Sequence, residues 1–67
     1  SAILYALRKD GRKSEFRIGE IQHILLLEKK LDRSKYQIRN ALADLIERKR
    51  VNRIGPDEST TYALRTA

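Results

Sequence analysis

Between Arg33 and Asn40 the chain places Arg33, Ser34, Lys35, Tyr36, Gln37, Arg39 and Asn40, all of which form hydrogen bonds or ion pairs through their side chains. Guanidinium and ammonium groups pair with phosphate, and a carboxamide such as Asn40 or Gln37 can meet both the donor and the acceptor on the edge of adenine. Arg39 matches the two acceptors of guanine in the same way, and Ala43 can touch a thymine methyl. Ser34, Lys35 and Tyr36 come first in this stretch and suit phosphate oxygens, and Arg53 supplies a separate cation further along. Other chemistries lack their residues. His23 is the one histidine and there is no cysteine, so no metal site is expected. With no Gly-rich phosphate loop, and only 67 residues to wall off a dry pocket, no catalytic residue, cofactor or small-molecule substrate is expected either. The class this leaves is a binding module.

Charge follows the same division. The chain carries 15 Lys and Arg against 9 Asp and Glu, a net +6, which favours a polyanionic partner. Residues 1–13 sum to +3, residues 14–31 to zero, residues 32–50 to +3 and residues 51–67 to zero. Ile, Leu, Val and Phe number 18 of 67, enough for one folded core but not two, so residues 1–67 are read as a single domain. The longest apolar run is Ile24 to Leu27, far short of a membrane span, and nothing resembles a signal peptide. The missing cysteines suggest an intracellular protein, of the cytoplasm or nucleoid, or of the nucleus in a eukaryote. A start at Ser1 and an end at Ala67 suggest a piece of a longer protein.

These side chains need elements to hold them. Ile3, Leu4 and Leu7, with Ala6 between, predict a first helix that ends at Asp10-Gly11, its N-cap not readable. Phe16-Arg17-Ile18 alternates as a short strand would. From Glu20 to Lys30, Ile21, Ile24, Leu25 and Leu27 recur at helical spacing, with Leu31 following on the same side. Ser34 and Gln37 then form an S-x-x-Q capping box, which predicts a third helix over Lys35 to Lys49. Its buried face is Ile38, Ala41, Leu42, Leu45 and Ile46, and Arg48-Lys49-Arg50 complement its negative pole. Val51 to Ile54 and Thr61 to Arg65, either side of a loop rich in Gly, Pro and Asp, predict a hairpin. Tyr62 and Leu64 are expected to pack on the helices, with the Phe16 strand as a third member.

The order helix, short strand, helix, tight turn, capped helix and hairpin resembles a winged helix-turn-helix domain, a mainly α fold with a small β-sheet (α+β). Leu31-Asp32-Arg33-Ser34-Lys35-Tyr36-Gln37-Ile38-Arg39-Asn40-Ala41-Leu42-Ala43-Asp44-Leu45 is similar to the central stretch of the MarR-like and GntR-like branches, and Thr61-Tyr62-x-Leu64 resembles a common wing closure. Two positions depart from that pattern, Lys49-Arg50 and Asp32, where many members have Gly. The resemblance implies a recognition helix over 35–49 and binding of double-stranded DNA, in a transcription regulator or replication protein.

On a helical wheel, Tyr36, Asn40, Ala43 and Glu47 lie opposite the core, with Lys35 and Arg39 on one flank and Gln37 on the other. The expected DNA-binding residues are Arg33, Ser34, Lys35, Tyr36, Gln37, Arg39, Asn40, Ala43 and Arg53, with the contact ending before Glu47. Asp57 and Glu58 at the wing tip weaken that loop for DNA. Arg8, Lys9, Arg12, Lys13 and Arg17 form either a second phosphate contact or a solvated surface. Leu26 points away from the core side of its helix, either to pack under the first helix or the N-terminal loop, or to join two copies as a homodimer. The rival reading makes the whole domain a protein-interaction module. RNA binding is a third and weaker option, because three tyrosines and one phenylalanine, mostly assigned to the core, leave no exposed aromatic platform for stacking single-stranded bases.

Overall fold

Local signals set where the helices begin. In the computed structural model, which describes residues 1–9, 11–56 and 59–65, Ser1 accepts a hydrogen bond on Oγ from the Ile3 amide at 3.2 Å and caps α1 (Ala2–Arg8). α2 (Ile18–Lys29) begins where the extended backbone of Arg17 turns, and the Arg17 amide donates to Glu20 Oε1 at 2.9 Å. For α3 (Lys35–Glu47) the capping box forms in both directions. The Gln37 amide donates to Ser34 Oγ at 3.1 Å and the Ser34 amide to Gln37 Oε1 at 2.9 Å.

The helix ends depart from expectation for a backbone reason. Lys30 and Lys49 both adopt left-handed backbone, with φ of 54° and 61°. At Lys30 this closes α2, with the Lys30 and Leu31 amides both directed at the Leu25 carbonyl. At Lys49 it stops α3 two residues before its expected end. The Arg50 amide bonds the Leu45 carbonyl and the Lys49 amide the Ile46 carbonyl, each at 2.9 Å, a Schellman closure with lysine at the position glycine usually takes. Of the basic triplet after α3, Arg48 pairs with Asp44 at 3.0 Å.

The hairpin joins β1 (Val51–Ile54) to β2 (Thr61–Leu64), antiparallel, with Val51 opposite Leu64 and Arg53 opposite Tyr62. The Arg65 amide adds one rung by bonding the Arg50 carbonyl at 3.0 Å. The strand expected over Phe16–Ile18 reduces to Phe16 alone, because Arg17 and Ile18 already start α2. Phe16 and Tyr62 exchange two backbone hydrogen bonds, at 2.9 and 2.7 Å. β2 is therefore paired on both edges at Tyr62. The acidic loop tip expected at Asp57 and Glu58, and the Asp10 end of α1, lie outside the described residues.

Three helices and this antiparallel pair, a mixed α+β arrangement, enclose one core. Ile3, Leu4, Ala6 and Leu7 of α1, Phe16 before α2, Ile21 and Leu25 of α2, Ile38 and Leu42 of α3, and Val51 and Tyr62 of the hairpin are buried, with Leu45, Ile46 and Leu64 packed partly against them. Two expected core residues are not in it. Leu27 is 61% exposed, because six helical steps carry it about 120° away from Ile21, onto the solvent side. Ala41 is exposed as well, at the rim of a shallow apolar cleft between α1 and α3. Leu26 is 47% exposed, so it does not pack under α1. No described helix is long and apolar enough to cross a membrane.

Candidate nucleic-acid interface

The hairpin and the starts of α2 and α3 enclose an open groove of about 690 Å³. Four cations line it. Arg17 precedes α2, Lys35 and Arg39 stand one turn apart at the start of α3, and Arg53 reaches in from β1. Among the described residues none of the four is in an ion pair. The first turn of α3 has no acidic residue, so the positive pole of that helix adds to the same field.

Glu20 is the carboxylate in this groove, and its charge is already committed. It accepts the Arg17 amide and pairs with Lys13, and these two contacts, the backbone bond first, hold its carboxyl below the ordinary glutamate range. Among the described residues, Lys35, Arg39 and Arg53 of the groove are in no ion pair, and Arg17 is balanced only by its attraction to the Glu20 carboxylate. Anions satisfy such a cluster, and phosphodiesters do so at several points at once.

The expected binding residues of α3 divide into three sets. Lys35 and Arg39 face the groove. Tyr36, Asn40 and Ala43 are exposed on the outward face, as the wheel predicts, and Glu47 is exposed beyond them. Arg33 and Gln37 line the other flank, the apolar cleft of about 260 Å³ that also holds Ala41. Ser34 and the oxygen of Gln37 are occupied by each other's amides. Two-point pairing of Gln37 with adenine, expected from its residue type, would require that cap bond to open, which makes Gln37 a helix-start residue first. Arg53, expected as a separate cation of the wing, lines the same groove as the α3 cations.

Arg17 is the residue that sequence reasoning put in a different group. Its sequence places it with Arg8, Lys9, Arg12 and Lys13, yet Lys9 pairs with Glu28 at 3.8 Å and Lys13 with Glu20, while Arg17 faces the groove. Its position just before α2 was the available signal, hidden by reading Phe16–Ile18 as a strand. The aromatic residues need a similar correction. Phe16 and Tyr62 are buried, but Tyr5 is 37% and Tyr36 69% exposed. His23 is exposed, and no cluster of three His, Cys, Asp or Glu that could hold a metal occurs among the described residues.

No protein-family model, curated protein or solved structure matches the chain. The chemistry of the site rests on its own residues.

Proposed function

We propose that the chain is a winged helix-turn-helix domain that binds double-stranded DNA, with α3 as the recognition helix in the major groove and the hairpin as the wing. The observation that carries this reading is the convergence of Arg17, Lys35, Arg39 and Arg53 from three separate segments on one groove, beside the exposed polar face of α3. In this reading one strand's phosphates lie along the groove, releasing counterions as the four cations neutralise them. That contact sets the register in which Asn40 and Ala43 meet base edges, and it leaves Arg39 the choice of a phosphate or the edge of guanine. Ser34 and Gln37 act indirectly by holding the start of α3. The domain does no chemistry itself. It would serve as the DNA-contacting part of a regulator or replication protein wherever DNA is held in the cell.

Titration of labelled duplex over a range of salt tests this. Neutralising four phosphates predicts a slope of log K against log salt of about −3.6. Arg17→Ala, Lys35→Ala and Arg53→Ala each bring that slope toward zero by about 1, whatever the duplex sequence. Absence of binding at low salt, or a slope that these variants leave alone, rejects the reading. A second reading, a protein-contact or dimerisation module, is favoured by one observation, the exposure of Leu26 and Leu27 side by side on α2.

A further inference from the structure

Resting on the DNA-binding reading, we propose that Tyr36 is a stacking platform for a base that has left the duplex. The domain then prefers DNA in which an unpaired base adjoins paired DNA. Tyr36 is 69% exposed, the highest value among the large apolar and aromatic side chains, and its hydroxyl has no hydrogen-bond partner among the described residues. Tyr5, the other exposed tyrosine, is engaged. Lys29 lies over its ring, 4.1 Å from the centroid, and its hydroxyl reaches Glu28 at 3.5 Å. Tyr36 has neither kind of cover.

Its surroundings point to the ligand. Tyr36 is the second residue of α3, directly after the groove-lining Lys35 and one turn before Arg39 and Asn40, so its exposed ring stands on the outward face of the helix that supplies two of the groove's cations. Side chains four apart share a helix face, so Tyr36 stands one turn ahead of Asn40, at the leading end of the outward face of α3. An open aromatic face beside a track for the phosphate backbone is the combination that binds unstacked bases. Intact duplex hides its base faces in the stack and shows only edges and backbone, which give this ring nothing to lie on. An unpaired base presents such a face, and every base has one, so the preference is for structure and tolerant of sequence.

Fluorescence polarisation of the 67-residue chain with a labelled DNA hairpin, fully paired or carrying a short thymine overhang, tests the proposal. The overhang should bind about tenfold more tightly, and Tyr36→Ala should abolish that preference, the two hairpins then binding alike. Tyr36→Phe should keep it, since stacking uses the ring. Equal binding of the two hairpins by the unsubstituted chain overturns the proposal, as does equal weakening on both by Tyr36→Ala. A Tyr36→Phe variant as weak as Tyr36→Ala would make the hydroxyl a phosphate ligand and overturn it too. Binding of paired DNA without the preference leaves the DNA reading standing, whereas no binding of either hairpin at low salt removes both. Unchanged circular dichroism of Tyr36→Ala separates a lost contact from a lost fold.

Discussion

At the scale of single residues, two backbone positions carry opposite relations to glycine. Gly55 turns the hairpin at φ of 87°, and a Cβ added there would come 3.3 Å from the Ser59 carbonyl oxygen. Lys49 holds φ of 61° with a side chain in place. Left-handed backbone costs an L-residue roughly 1 kcal/mol that glycine does not incur. Thermal melting should therefore move in opposite directions. Gly55→Ala should lose about 1 kcal/mol, and Lys49→Gly should gain about 0.5–1 kcal/mol, each kcal/mol shifting Tm by roughly 4–8 °C in a domain this small. Because Lys49 does not line the cationic groove, Lys49→Gly should leave the salt slope of DNA binding in place. The N-cap of α3 was legible because Ser34 and Gln37 are local and type-specific, while the end of the same helix was not, because a lysine stands where glycine would announce it.

Elements show the same contrast between local and distant signals. The periodicity of α3 put Ile38 and Leu42 in the core, and β-branched and aromatic residues either side of Gly55-Pro56 placed both hairpin strands. The start of α2 was hidden, since Phe16-Arg17-Ile18 satisfies a strand's alternation equally well; what decides for the helix is the bond from the Ile21 amide to the Arg17 carbonyl together with the bond from the Arg17 amide to Glu20. That bond makes the start of α2 sensitive to acid. Glu20 is held below its ordinary value by the Arg17 amide and Lys13, so its charge stabilises the fold fully above about pH 4.5 and less as pH falls through the lowered value. The side chain is 40% exposed, and solvent screening keeps the effect to about 0.3–0.5 kcal/mol. Urea midpoints of Glu20→Gln should lie below those of the unsubstituted chain at neutral pH and converge with them in acid. A gap that persists at low pH would mean that the carboxylate charge is not what holds this turn.

For the whole molecule, the sequence located charge by segment, but the groove forms only when α2, α3 and β1 come together, and no local pattern reports that meeting. Leu26 and Leu27, 47% and 61% exposed, neighbour each other on α2. If they join two copies, sedimentation of the chain should show a mass that falls with dilution, and Leu26→Asp should run as a monomer at all concentrations. A monomeric unsubstituted chain at high concentration would remove self-association and leave the face to other partners or to none. The paired edges of β2 bear on the groove in a further way. Phe16 and Arg53 flank Tyr62 as its partners on either side, Phe16 through two backbone hydrogen bonds and Arg53 as the residue opposite it in the hairpin register, with Arg17 attached next to Phe16. The two outer members stand two sheet spacings apart, about 10 Å. The lateral interval between the bases of the Arg17 and Arg53 side chains is thus a ruler cut in the main chain. Core substitutions that leave that three-residue register intact can soften the domain without changing the gauge at which it meets its anions.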